Sequence, residues 1–561
     1  MTMTSSMNES EAKLDMRRTA NYKPNIWKDD FLQSLASKYE KEEFAMQLNK
    51  WVIEVKCLFV QELDVLQKLE LVDWIHKLGL ASHFEKEIDE FLQTIFVSAQ
   101  NFNKFKVKDN MHMSTLCFKL LRLHGYHVFP ADILSNFLDV RDNSFASNVK
   151  NIVELLEASH LGLDGEQILE EAKKFAINWL KDALKSTSSS INIELCDNNM
   201  VVQRVVHALE LPSHWRVPWF DVKWHMNQYQ TIEHMDPVLL ELAKLNFNII
   251  QAKLQKEVKE LSRWWEKLGI KEELRFARNR LVESFMCAAG VAFEAKYKSL
   301  RKWLTKVIIF VLVIDDIYDI HASFEELNPF TMAFHRWDAK EIDELPEYMK
   351  ICFNALQDIT NEIAYDIGGE KNFNMVLHYL KKTWIEFCKA LYVEAKWYQM
   401  GYIPSLQEYL NNAWITSSGP LILLHSYFAT MCEVTDEIDD FPDIYEDLVY
   451  NVSIIIRLCN DLGTAVAERE RGDAASSIIC YMNEMNVSEE EARKHIQDII
   501  NSAWRKINGH CSTPISWMGP FFNQAKNAAR VAHTLYLNGD GFGIQDRDIK
   551  KHILSLVVEP F

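Results

Sequence analysis

Turn-forming residues are scarce in this chain, with 17 glycines and 13 prolines in 561 residues. That is under half the usual share of roughly 12% for the two together. A chain with so few breakers folds into few, long elements. The apolar pattern makes those elements helices. Val65, Leu66, Leu69, Leu71, Val72 and Ile75 recur at mixed three- and four-residue spacings, as do Ile152, Leu155 and Leu156. Asp164 to Leu180 and Leu239 to Leu261 read as further amphipathic helices. Ser488 followed by Glu491 is a capping-box signal that opens a helix through Ile500. No strand–turn–strand pattern of useful length and no fixed-period repeat occurs. The expected fold class is all-α.

The length exceeds what one ordinary core organises, so two domains are expected. The clearest break is Leu211-Pro212-Ser213-His214-Trp215-Arg216-Val217-Pro218, where two prolines interrupt any helix. The reading is an N-terminal arm over 1–21, a first helical domain over 22–225 and a second over 226–561.

The formal net charge of −19 excludes nucleic acid as a natural partner, because phosphate backbones need a basic field. It also disfavours an anionic substrate, unless metal ions stand between protein and substrate. The ten cysteines include no CxxC pair and read as buried thiols of a reducing compartment. The longest purely apolar run, Val307 to Ile314, is far short of a membrane span. The residues before Arg17-Arg18 include Glu9, Glu11 and Asp15 and no apolar stretch, unlike a transit or secretory peptide. A cytoplasmic location is expected.

The apolar run leads into Asp315-Asp316-Ile317-Tyr318-Asp319. Taken alone, a β-branched run could be a buried strand, but its flanks continue without a breaker and favour a buried helix through Ile320. Asp315 and Asp319 then lie four residues apart on one helical face. Two carboxylates at the mouth of an apolar cavity repel each other unless a cation joins them. Mg²⁺ does so, typically bridging carboxylates to substrate phosphates. By itself the motif reads equally well as a solvated acidic helix end.

A second pattern supports the metal reading. Asn460, Thr464 and Glu468 stand at successive four-residue steps and form one oxygen-only stripe, a donor set suited to Mg²⁺. Arg457 lies one turn upstream, within reach of a substrate phosphate. The apolar Ile454-Ile455-Ile456 just before it points to burial, not to an exposed polar face. Arg278-Asn279-Arg280 offers two guanidiniums to a leaving diphosphate. Asp439-Asp440-Phe441-Pro442-Asp443 also matches DDxxD, but Pro442 and the acidic neighbours Asp436 and Glu437 mark a solvated loop, and no metal is assigned there.

In this order these motifs resemble those of plant class I terpene synthases over almost the full chain: Arg17-Arg18 and, eight residues on, Trp27; then Arg278-Asn279-Arg280; then Asp315 to Asp319; then Asn460 to Glu468. The resemblance implies an N-terminal α-barrel-like domain and a C-terminal class I helical bundle that works as a monomer. It implies three Mg²⁺ ions, with Mn²⁺ a possible substitute. Asp315 and Asp319 would hold two, and Asn460, Thr464 and Glu468 the third. Arg278 and Arg457 would meet the diphosphate of a prenyl substrate, with Arg280 nearby, and the Arg17 to Trp27 segment would fold over the mouth. No DxDD motif points to protonation-initiated chemistry. The segments RRTANYKPNIW, LLELAKLNFNIIQAKLQ and GDGFG look most like members that make (E,E)-α-farnesene.

Where many cyclising relatives carry Trp after the RxR motif, this chain has Cys287. The exchange leaves less π-surface for a cyclic cation and favours early quenching. The same resemblance implies farnesyl diphosphate as substrate, with proton loss from C4 of the allylic cation. Phe285, Phe310, Tyr536 and Phe542 are expected near the pocket, although aromatic core packing is the commoner role for any one of them. Thr416-Ser417-Ser418-Gly419-Pro420 should break a helix and turn carbonyls toward a cation, or simply end it. Gly539-Asp540-Gly541-Phe542-Gly543 reads as a lid, a C-cap turn, or both, with Asp540 at the substrate. The same residues would serve β-ocimene formation from geranyl diphosphate, or a linalool or nerolidol synthase that admits water. Chain elongation needs a second intact DDxxD. A non-catalytic helical scaffold leaves the oxygen stripe and the RxR pair unexplained.

Overall fold

The computed structural model describes residues 22–100, 111–131, 149–189, 197–338, 342–431, 441–471, 476–512, 518–543, 545 and 547–561. Among these, helices account for the regular structure and no strand occurs. The expected helices are present: Val65–Lys77, Gln167–Ser189, Pro237–Leu268 and Glu489–Cys511. The capping box is formed, with Ser488 N donating to Glu491 Oε2 at 3.0 Å and Glu491 N donating to Ser488 Oγ at 3.3 Å. That helix runs past Ile500 to Cys511, because no proline intervenes and Gly509 falls only in its last turn. No described helix is long and apolar enough to cross a membrane.

The chain forms two compact units that divide inside Pro237–Leu268, between Lys253 and Leu254. One comprises Ser37–Lys253, Trp504–Gly519 and Glu559–Phe561. Its core includes Ile152, Leu155, Leu156, Ala172, Ala176, Leu180, Val205 and Ala208. Beside it lies a buried ionic network. Lys119 Nζ is 2.5 Å from Glu154 and 2.7 Å from Asp73, and Lys77 Nζ is 2.6 Å from Asp73 and 3.1 Å from Glu154. Two lysines answering two carboxylates keep buried charge compensated. The proline-bounded break is a short 3₁₀ turn, Ser213–Trp215, and Pro218 opens the next helix at the position where a missing N–H costs nothing.

The other unit comprises Leu254–Ala503, Pro520–Val558 and the N-terminal stretch up to Ala36. Seven of its helices bear on the cavity described below: α1 (Leu281–Val291), α2 (Lys298–Asp316), α3 (Glu347–Met400, broken at Gly369), α4 (Leu406–Thr416), α5 (Gly419–Thr430), α6 (Phe441–Arg471) and α7 (Gly519–Tyr536). All of α1 is buried, and α2 buries every residue from Leu300 to Ile314 except Lys302 and Val311. The β-branched run is thus a core helix. Six of the described cysteines are buried, but Cys57 is exposed, contrary to expectation, because it lies on an outward face of the helix Glu42–Val60.

Candidate active site

The apolar helix α2 brings its acidic end to the mouth of a cavity. Ile308, Val311, Leu312 and Asp315 line it from one face, spaced by three, one and three residues. The α-helix does not continue through Ile320 as expected. It widens at Ile317–His321 into a π-turn, closed by Ala322 N donating to Ile317 O at 3.0 Å. Buried Tyr318 anchors this turn, its hydroxyl 2.7 Å from Thr331 Oγ1. A π-turn adds a residue per turn and often marks functional sites. Here Asp315, Asp316 and Asp319 all line the cavity.

Asp316, between the two expected ligands, supports the site from behind. It is fully buried and holds Arg278. Arg278 donates to its Oδ2 from the backbone N at 2.7 Å and from Nε at 3.2 Å, and Nη2 lies 3.0 Å from Oδ1. Arg278 also pairs with Asp315. Tyr22 closes the cluster, donating to Asp316 Oδ1 at 3.0 Å with its ring 5.2 Å from the Arg278 guanidinium. Burial pushes the Asp316 carboxyl up, against the opposing pull of Arg278. Burial disfavours charge on Arg278, but Asp316, Tyr22 and Asp315 outweigh it and hold the guanidinium ionised.

α6 supplies further wall, with Arg457, Asn460, Asp461, Thr464 and Glu468 on the cavity. Thr464 Oγ1 lies 2.7 Å from Glu468 Oε1 and 2.9 Å from Asn460 O. Gly463 lets this helix approach the turn after α7, because a Cβ there would stand 3.0 Å from Tyr536 O and 3.1 Å from Gly539 O. Arg457 Nη2 donates to Thr416 Oγ1 at 2.6 Å, and Thr416 Oγ1 donates to Glu394 Oε1 at 2.7 Å. Burial raises the Glu394 carboxyl, opposed by Arg457. Asp461 accepts from Tyr409 Oη at 3.0 Å and from Ser477 N at 2.9 Å.

The expected break between Thr416 and Pro420 is present. α4 ends at Thr416, Ser418 adopts a left-handed φ of 63°, and α5 opens at Gly419. A Cβ on Gly419 would fall 2.1 Å from Ser453 Oγ, so α5 and α6 meet at van der Waals closeness there. Ser417, Cys287, Tyr536, Asp540 and Phe542 line the cavity. Asp540 Oδ1 accepts from Phe542 N at 3.0 Å and Gly543 N at 2.7 Å, which shapes that turn.

Four expected contacts lie elsewhere. Phe285 and Phe310 are fully buried and absent from the lining, because their helical faces turn into the core. Arg280 is also absent from it. Its Nε donates to Phe542 O at 2.5 Å and its Nη2 to Gly543 O at 3.3 Å. Thr416 reaches the site only through Arg457 and Glu394. Arg17, Arg18, Asp439 and Asp440 lie outside the described residues, and Pro442 falls in the first turn of α6.

Glu394, Tyr409 and Asp461 line the cavity without having been expected there, while Tyr22 and Ser418 belong to segments expected to face it. Asp461 sits beside Asn460 and was findable as its neighbour. Glu394 carries no local motif, since its role depends on the tertiary approach of α3.

The donor set fits a hard divalent cation, being oxygen-only on both walls. Among the described residues, no three His, Cys, Asp or Glu side chains converge tightly enough to cage a metal by themselves. A cation here would draw part of its shell from water or a phosphate, as Mg²⁺ commonly does. The cavity has apolar depth behind a charged rim. That space suits a long hydrocarbon with an anionic head.

Comparison with known proteins agrees with this geometry. Residues 26–209 match the family model described as terpene synthase, N-terminal domain, and residues 266–506 the model described as terpene synthase family, metal binding domain. The chain is 51% identical to an alpha-farnesene synthase of Ricinus communis, with 99% of this chain and 97% of that one covered. It is 50% identical to an (E,E)-alpha-farnesene synthase of Malus domestica, covering 98% and 95%. The crystal structure of isoprene synthase from grey poplar (Populus x canescens), in complex with three Mg²⁺ ions and dimethylallyl-S-thiolodiphosphate, superposes with a TM-score of 0.83 at 38% identity, covering 96% of this chain and 99% of that one. With two acidic and oxygen-rich walls around an apolar cavity, and both family models matched in order, this chain belongs to the terpene synthase family.

Proposed function

We propose that this enzyme ionises (2E,6E)-farnesyl diphosphate and deprotonates the allylic cation to (E,E)-α-farnesene. The observation that carries this reading is the pairing of Arg278 and Arg457 with aspartate and Asn460–Thr464–Glu468 walls at the rim of one apolar cavity. The relatives from Ricinus communis and Malus domestica, both named for α-farnesene, support the substrate and product. The proposed metal ligands are Asp315 and Asp319 on one side and Asn460, Thr464 and Glu468 on the other. Three Mg²⁺ ions bound there would supply positive charge to stabilise the departing diphosphate.

Arg278 and Arg457 receive the diphosphate oxygens. Each is held ionised and pre-aimed by the groups behind it, which lowers the reorganisation needed as charge develops. The C1–O bond breaks with its electron pair going to oxygen. Ile308, Ile422, Ile456 and Val531 surround the hydrocarbon and exclude water. Cys287 leaves little π-surface to favour cyclisation. A C4 proton then passes to a diphosphate oxygen, and its C–H electron pair forms the new double bond.

The test is gas chromatography of products formed from farnesyl and geranyl diphosphates with Mg²⁺. α-Farnesene as the main product from the farnesyl substrate is expected. A dominant cyclic product, or preference for geranyl diphosphate, would overturn the assignment. Incorporation of isopentenyl diphosphate would replace it with chain elongation.

A further inference from the structure

Two segments far apart in sequence meet at the rim of the cavity, and one side chain joins them. The first is the strap Tyr22–Trp27, and the second is the turn that carries Asp540 and Phe542. Tyr22, Asp540 and Phe542 all line the cavity. Gln545, just beyond the turn, binds the strap twice. Its Oε1 accepts from Ile26 N at 3.1 Å, and its Nε2 donates to Asn25 Oδ1 at 3.2 Å. Nε2 also donates to Glu283 Oε1 at 2.7 Å. The same Glu283 oxygen accepts from the Trp27 indole at 2.8 Å. Glu283 is buried at the start of α1, so this acceptor is rigid. Arg280, one turn earlier, fixes the carbonyls of Phe542 and Gly543.

We propose that Gln545 and Glu283 form a shared latch, which makes the N-terminal strap and the Asp540–Phe542 turn close over the cavity as one unit, with Gln545 as the positioning residue. A buried carboxylate with only one oxygen engaged is costly to strip of a further donor. Releasing either segment strips one of its two donors, so loosening one loosens the other. The strap ends on Tyr22, which donates to Asp316, the carboxylate that holds Arg278. Closure and the posture of the diphosphate-facing guanidinium are therefore linked. Neither residue touches the reacting atoms. Their effect on the reaction is to keep water out until the cation has lost its proton.

The test uses the full chain and three variants: Gln545→Met, which keeps shape but removes the hydrogen bonds, Glu283→Gln, and Trp27→Phe. The primary measurement is amide hydrogen exchange without substrate. Gln545→Met is expected to speed exchange about tenfold at Ile26 and Trp27 as well as at Phe542 and Gly543. Trp27→Phe is expected to speed exchange in the turn, which it does not touch. If either variant loosens only its own segment, the two are independent and the latch is refuted. Glu283→Gln is expected to loosen both segments. Protection unchanged in both would equally refute the proposal. A second arm rests on the prenyl diphosphate reading: with farnesyl diphosphate, Gln545→Met should raise the share of water-captured alcohol several-fold at similar KM. An unchanged share with lower kcat would show a merely structural residue. Failure of the wild type to release diphosphate would defeat the substrate reading, while the exchange arm would still decide the latch.

Discussion

Asp316 shows how a single buried carboxylate can control the groups around it. It receives the backbone N–H and the guanidinium of Arg278, and also the Tyr22 hydroxyl. Asp316→Asn keeps the shape but removes the charge that opposes Arg278. Steady-state assays of diphosphate release should show kcat/KM lower by roughly 10- to 100-fold, with folding retained. A variant with wild-type turnover would show that Arg278 needs no such support. Glu468→Gln tests the other wall. Half-saturation by Mg²⁺ should rise by roughly 10- to 100-fold, more than KM for the prenyl diphosphate does. Equal shifts in both would place Glu468 outside the metal shell. The contrast between these residues explains what was legible. Asn460, Thr464 and Glu468 share one helix, so their four-residue spacing announced them. Asp316 shares its helix with Asp315, yet its burial comes from the approach of Arg278, which spacing cannot reveal. Tyr22 was legible only as part of a segment expected over the mouth, and Glu394 depends wholly on tertiary placement.

At the scale of elements, the site depends on two helices that come unusually close. Gly419 opens α5 against Ser453 of α6, and no side chain fits between them. Gly419→Ala forces the pair apart and should cost about 1–3 kcal/mol, read as a lower denaturation midpoint. Ser453→Ala in the same chain should restore part of the loss, because the nearest obstruction at 2.1 Å is the Ser453 hydroxyl, which is buried and makes no hydrogen bond. Absence of any rescue would put the strain elsewhere. Gly419 was visible in the sequence as part of a breaker, Ser418-Gly419-Pro420. Its second role, allowing backbone contact with another helix, was not, since Ser453 lies 34 residues on. The π-turn at Ile317–His321 was hidden for a similar reason. Local propensity there favours an ordinary helix, and the anchoring of Tyr318 to Thr331 is a tertiary contact. In the other unit, Lys119→Met should cost about 3–5 kcal/mol, because Asp73 and Glu154 would keep only Lys77 between them.

Across the whole molecule, buried histidines set the response to acid. His425 is almost wholly buried, with Nδ1 2.7 Å from Leu421 O, and burial lowers its pKa to about 4. Burial likewise lowers His160, in the other unit, to about 3. An unfolded histidine titrates near ~6.5. The unfolded chain therefore binds more protons than the folded one between these values. Stability from each buried imidazole is fully present above about pH 6.5 and is lost as pH falls toward 4. For His425 the loss by pH 4 is up to about 3 kcal/mol. Three buried carboxyls act in the opposite direction: burial raises Asp316, Glu394 and Glu157, so each favours the folded state as pH falls through its raised value. At Asp73 and Glu154, by contrast, burial is outweighed by Lys119 and Lys77, which hold both low, and those two lose stability in acid as the histidines do. A single acid-denaturation curve mixes the two effects. The comparison that separates them is the fall in Tm between pH 7 and pH 5 for wild type and for His425→Gln, which keeps a donor for Leu421 O but carries no titrating group. The variant should lose less of its Tm over that interval, and the carboxyl contribution should be common to both. Parallel curves would mean that His425 takes up a proton in the folded state as readily as in the unfolded one.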